Sequence, residues 1–195
     1  MRRNLMALLS IVVLAFPCAV MAEGTSVDFG LGYQYFDYKE DINPPRKSTE
    51  SGWLPAAYLS YTYKKKSDFY TRVYADYAAG DITYDGTTQG GTPVNFTDSQ
   101  QKLFKFEWDI GYTFKAGDKV LLIPYIGYGY RYWERGKAKI TSTYSAYQED
   151  YSWSYLPIGL RADYAINGQW SVGGTVAINI MFNGRMTAKL SQIGA

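Results

Sequence analysis

Eight charged residues stand at alternate positions of strand-like segments: Arg72, Asp76, Lys105, Glu107, Asp109, Arg131, Arg161 and Asp163. Four are basic and four are acidic. The chemistry they offer is ion pairing on one face of a sheet, or a polar conduit that opens when pairs exchange, because a charge withdrawn from water needs a partner. Imidazole general-base chemistry is not on offer, since the sequence contains no histidine. Asp81 and Asp85 are spaced as a catalytic carboxylate pair might be, but their surroundings read as a solvated loop. Gly127-Tyr128-Gly129 falls inside a strand pattern with no following helix, so it reads as space for bulky neighbours rather than a nucleotide loop. No spacing of ligand side chains suggests a metal, and no cofactor is expected.

The elements that must position these charges are strands. In Leu103–Phe114 the even positions are Phe104, Phe106, Trp108, Ile110, Tyr112 and Phe114, and the odd ones include Lys105, Glu107 and Asp109. A period of two sends all the aromatics to one face and all the charges to the other. The same split runs through Val27–Tyr35, Trp53–Tyr63, Phe69–Ala79, Val120–Tyr132 (Tyr128 and Tyr130 against Arg131), Trp153–Ile166 and Trp170–Phe182. Seven strands are therefore expected. The composition agrees, with 20 Tyr, 5 Trp and 19 Gly and only 19% charged residues.

The first 22 residues have another character. Arg2 and Arg3 precede an apolar run, and Val20-Met21-Ala22 has the small-x-small form of a cleavage site, so residues 1–22 are expected to be a secretory signal peptide. The one cysteine, Cys18, lies in that run. Without Arg2 and Arg3 the chain has as many basic as acidic residues, which gives no reason to expect a nucleic-acid partner. Beyond Ala22 no apolar stretch is long enough for a membrane helix. An exported chain with large aromatic strand faces points to an all-β, antiparallel, up-and-down transmembrane barrel over 23–195, whose strands need only about ten alternating residues each.

The connections fit that plan. Lys64–Asp68, Lys115–Lys119 and Ile166–Gln169 read as tight turns. Glu40–Ser51, Asp85–Gln100 and Gly136–Asp150 read as long polar loops, expected on the outside. Trp53, Tyr63, Tyr112, Phe114, Trp153 and Trp170 stand near strand ends, where interfacial aromatic girdles form. Phe104, Phe106, Trp108, Tyr128 and Tyr130 would complete a lipid-facing wall. Single-chain barrels have an even strand count, so the expectation is a barrel of about eight to ten strands, of which this chain holds roughly seven and ends short of closure.

Pro124-Tyr-Ile-Gly-Tyr-Gly-Tyr-Arg-Tyr-Trp133, Tyr155-Leu-Pro-Ile-Gly-Leu160, Asn183-Gly-Arg and Leu190-Ser resemble a family of small proteobacterial outer-membrane β-barrel proteins. The resemblance implies an outer-membrane protein with no catalytic residues to carry over, and insertion by the cell's barrel-assembly machinery. The expected partners are outer-membrane lipid and lipopolysaccharide. The functional expectation is a non-enzymatic structural or surface-interaction role with a charge-plugged lumen. A narrow porin-like channel is the first alternative, and a rim enzyme acting on protein or lipid the second.

Overall fold

The computed structural model describes residues 24–40, 46–88, 90–136, 147–167 and 170–189. The expected signal peptide and the Leu190-Ser pair lie outside them. The described residues form eight β-strands: β1 Gly24–Lys39, β2 Ser48–Lys64, β3 Phe69–Thr87, β4 Pro93–Tyr112, β5 Phe114–Lys115, β6 Val120–Arg135, β7 Glu149–Ala165 and β8 Ser171–Ala188. They form one antiparallel sheet in chain order, with β5 attached to β6. Gly111 pairs Tyr125 and Phe114 pairs Leu122, which is a single register, so β5 is the end of β4 after a break at Thr113. Seven strands thus run the full height of the sheet, in the segments where the alternation put them.

The sheet is rolled. Lys64 on β2 donates to Asp163 on β7 at 2.6 Å, although β3, β4 and β6 lie between those strands in the sheet. Arg135 on β6 reaches Glu50 on β2 at 3.0 Å. Only strong curvature brings such strands face to face, and it sorts the side chains into an inner face around a lumen and an outer wall. Along β1 the exposed Val27, Phe29, Leu31 and Tyr33 point outward, while Gln34, Phe36 and Tyr38 are buried within. Among the described residues β1 and β8 each pair on one side only.

The strands are longer than the sequence pattern indicated, and the expected loops shorten accordingly. Asp85–Gln100 is not a loop: β3 continues to Thr87 and β4 begins at Pro93, leaving 88–92 as the connection. The polar composition hid this hairpin because a bulge breaks the period. Ile82 pairs Ser99 but Tyr84 pairs Phe96, so Thr97 and Asp98 oppose Thr83 alone. Tyr84 and Phe96 then stack with ring centroids 4.8 Å apart. Likewise β2 starts at Ser48, within the expected Glu40–Ser51 loop. A second bulge sits on β8, where Asn183 and Gly184 oppose Trp153 and Asn183 has φ 51°.

Candidate functional site: the lumen

The inner face is built in three layers between the end with tight turns and the end with longer connections. At mid-height, Glu107 on β4 is the hub. Arg72 on β3 approaches it at 2.5 Å, Lys105 at 3.2 Å, and the Tyr155 hydroxyl on β7 donates to it at 2.7 Å. Arg72 also donates through Nε to Asp109 at 2.9 Å. Glu107 and Asp109 are buried. Arg72 and Lys105 lie against the Tyr74 ring, 5.5 and 4.9 Å from its centroid, so each cation has a π face as well as a carboxylate. The arrangement sets cations against the buried carboxylates, as buried ions require.

Glycines set the depth at which these rings sit. Gly129 pairs Tyr155 across β6 and β7, and a Cβ on Gly129 would lie 2.0 Å from the Tyr155 ring. Gly159 is placed in the same way beneath Tyr125, and Gly30 beneath Tyr58. Gly127 faces Asp109, whose Oδ1 would meet a Cβ there at 2.4 Å. The Gly-Tyr pairing therefore packs Tyr155, Tyr125 and Tyr58 over bare backbone of the neighbouring strand, and it carries the Tyr155 hydroxyl to Glu107.

At the turn end, Asp163 receives Lys64 at 2.6 Å and Arg161 at 2.9 Å. Tyr70, Ile123 and Tyr125 pack beside one another in that half of the lumen. At the loop end the filling is apolar and then ionic. Phe36, Tyr38, Leu54, Ala78, Ile82, Leu103 and Trp133 form one buried cluster. Trp133 stacks on Tyr151 at 4.5 Å and donates through Nε1 to Gln101 at 2.6 Å. Above it Arg135 donates to Glu50 at 3.0 Å and Glu149 at 2.7 Å, and lies 3.4 Å from Glu40. Glu50 also accepts from Ser99 at 2.9 Å. Burial, then the Glu149 carboxylate beside it, pushes the Tyr147 phenol above its ordinary pKa, so this hydroxyl stays protonated at the mouth.

All eight charges singled out in the sequence project into the lumen, but not into one cluster. Arg72, Lys105, Glu107 and Asp109 meet at mid-height, and Arg161 and Asp163 meet at the turn end. Asp76 and Arg131 line a cavity of about 860 Å³ beside the central network, with Tyr58, Tyr74, Ala177 and Asn179. On the wall, Trp53, Phe104, Trp108, Tyr112, Phe114, Tyr128 and Trp170 are exposed. Phe106 and Tyr130 lie on the same face, half-covered by neighbours. Polar tips on this wall find partners within it: Trp108 donates to the Thr71 hydroxyl at 3.1 Å, and the Tyr128 and Ser154 hydroxyls lie 2.9 Å apart. A hydrocarbon environment demands this, since it offers no hydrogen bonds of its own.

Trp153 corrects the girdle expectation, and Tyr151 accompanies it. Trp153 pairs Arg131 and Tyr151 pairs Trp133, both inward residues, so the two rings pack on the luminal aromatic cluster and not on the wall. Proximity to a strand end suggested the girdle, whereas strand register decides the face. The sequence reading also missed Glu50, Arg135 and Glu149. Arg135 does continue the inward row Arg131-Trp133, but Glu50 and Glu149 fell within segments taken as loops. Tyr155 was legible as the partner of a glycine, though only once the register was known.

A family model described as the outer membrane protein beta-barrel domain matches residues 6–195. Comparison with curated proteins and with solved structures returns no match.

Proposed function

The chain belongs to the outer membrane protein beta-barrel domain family and is a bacterial outer-membrane β-barrel protein, and we propose that it acts there without catalysis, its lumen closed by its own side chains. The loop end faces the cell exterior, as long connections do in such barrels. The β3–β4 hairpin and its neighbours then form the surface open to partners. Outer-membrane lipid and lipopolysaccharide surround the wall, and the barrel-assembly machinery inserts it. The observation that carries this reading is the Glu107 hub, where two cations, a tyrosine hydroxyl and a neighbouring carboxylate are joined across β3, β4 and β7. Charges paired in this way plug a lumen of this size, which in a barrel of about eight strands side chains can just fill. The absence of histidine from the sequence supports the non-catalytic part.

The test is conductance. The full chain, inserted into planar lipid bilayers, is expected to give no current steps at any voltage the bilayer tolerates. Reproducible steps would overturn the closed lumen. They would favour a narrow channel for small solutes, the reading that the 860 Å³ cavity supports.

A further inference from the structure

We propose that Asn183 is a site of spontaneous covalent modification, where the side-chain amide is lost as ammonia and the residue becomes aspartate or isoaspartate. The sequence holds two Asn-Gly pairs, Asn167-Gly168 and Asn183-Gly184. In such a pair no side chain on the second residue shields its backbone nitrogen, so that nitrogen can attack the carboxamide before it. The fold treats the two pairs differently.

Asn167 is tied into the β7–β8 turn. Its Oδ1 accepts from the Trp170 N–H at 2.9 Å, and its own N–H donates to the Trp170 carbonyl at 3.3 Å. Its carboxamide must break the first of these bonds before it can turn toward the next nitrogen. The Asn183 carboxamide has no such tie among the described residues. It stands in the β8 bulge, where Asn183 and Gly184 oppose Trp153 alone and the ladder is interrupted. Its φ of 51° is a left-handed conformation, which takes it out of the extended strand. Around Gly184 there is open space, since a Cβ there would meet nothing within 4 Å. Both residues are exposed. The outward apolar row Val176, Ile178, Ile180 and Phe182 ends just before them and Arg185 follows, so the pair lies where the wall gives way to water.

The step needs only water. The Gly184 nitrogen bonds to Cγ of Asn183, the Cγ–Nδ2 bond breaks, and the proton of the Gly184 N–H leaves with Nδ2 as ammonia. The product is a cyclic imide. Water then opens either of its ring C–N bonds. Breaking the bond to Cγ gives aspartate. Breaking the bond to the main-chain carbonyl carbon gives isoaspartate, in which the backbone runs through the former side chain. Nothing is oxidised or reduced. Either product sets a carboxylate near Arg185 where a neutral amide stood, and isoaspartate lengthens the backbone at a point where the ladder is already interrupted.

The test follows the full chain, folded in lipid vesicles and incubated at mildly alkaline pH, by mass spectrometry of tryptic peptides. Arg161 and Arg185 bound one peptide, residues 162–185, that carries both pairs, so each rate is measured against the other. Asn183 is expected to convert about tenfold faster than Asn167, the factor that about 1.4 kcal/mol of barrier gives, with isoaspartate among the products. In urea without lipid the two rates are expected to converge, because the turn that holds Asn167 is gone. Gly184→Ala is expected to slow conversion at Asn183 by a similar factor and, given the open space around Gly184, to leave heat-modifiable gel mobility unchanged. Equal rates in the folded barrel, or a faster Asn167, overturn the proposal. A rate ratio that is the same in urea overturns the role of the bulge, and aspartate without isoaspartate overturns the imide route. The comparison of folded with unfolded chain uses the native sequence, so it decides the matter whether or not Gly184→Ala folds.

Discussion

Replacing Glu107 by Gln keeps the side chain's shape and removes its charge, and it tests whether the central network is a sealed unit. In the native barrel Glu107 is 5% exposed and receives Arg72, Lys105 and the Tyr155 hydroxyl. Breaking a buried pair by removing one partner costs about 3–5 kcal/mol, because the remaining charge is stranded. Here the stranding is partial. Arg72 keeps Asp109 at 2.7 Å, and Lys105, 22% exposed, recruits water from the adjoining cavity. The expected loss for Glu107→Gln is therefore about 2–3 kcal/mol, at the lower edge of that range. Glu107→Ala also deprives the buried Tyr155 hydroxyl of its acceptor, which adds roughly 1–2 kcal/mol. The assay is denaturant unfolding from lipid vesicles followed by tryptophan fluorescence, with gel mobility as a second probe. Lys47→Ala serves as the reference, because the Lys47–Asp85 pair is about half exposed on both sides and is worth less than about 1 kcal/mol. A Glu107→Gln loss no larger than that of Lys47→Ala would refute the reasoning, since it would mean that water already solvates these cations.

Further outcomes follow from the same geometry. Trp108→Arg places a charge on the wall at a position exposed to lipid, and is expected to cost about 2–4 kcal/mol in vesicle unfolding. Trp153→Arg, opposite Arg131 on the inner face, is expected to leave membrane insertion intact while loosening the loop-end cluster; equal insertion defects in both variants would refute the inward placement of Trp153. Gly129→Ala drives a Cβ into the Tyr155 ring and is expected to lower stability by about 1–3 kcal/mol, the usual cost of overpacking, as read by denaturant midpoint. Adding Tyr155→Phe, which keeps the ring and loses only the hydroxyl, is expected not to relieve it.

The wall was legible in the sequence and most of the lumen was not, for a physical reason. Whether Phe104 or Trp108 faces lipid depends on one strand alone, because the pleat assigns faces by parity. The inward direction of Arg72, Glu107 and Asp163 was legible on the same ground. What those residues touch depends on register between strands and on curvature, which link positions as distant as Lys64 and Asp163. Composition also misled at the loop end. Thr83–Thr87 and Pro93–Gln100 are polar because both faces of that hairpin stand clear of the apolar wall, and the bulge at Thr97 and Asp98 removes the remaining periodic signal. Glu50 and Glu149, two of the carboxylates that Arg135 holds, sit on strand ends whose polar sequence reads as loop.

The charges of the lumen constrain the fold even where their pairing energy is small. A buried ion pair roughly offsets its own desolvation cost, so attraction alone is weak evidence of stability. The alternatives decide the matter. A one-residue slip of β4 against β3 would turn Lys105, Glu107 and Asp109 into the hydrocarbon and bring Phe104, Phe106 and Trp108 inward, because the side-chain period is two. A cation on the lipid side costs about 2–4 kcal/mol at mid-membrane, and acids somewhat less. The slipped register also loses the aromatic wall that now faces lipid. Each inward charge therefore discriminates against every slipped register of its strand, whether or not it forms a strong pair in the correct one. At mid-height this discrimination and the Glu107 network act on the same residues, so the ion network and the strand register are specified together.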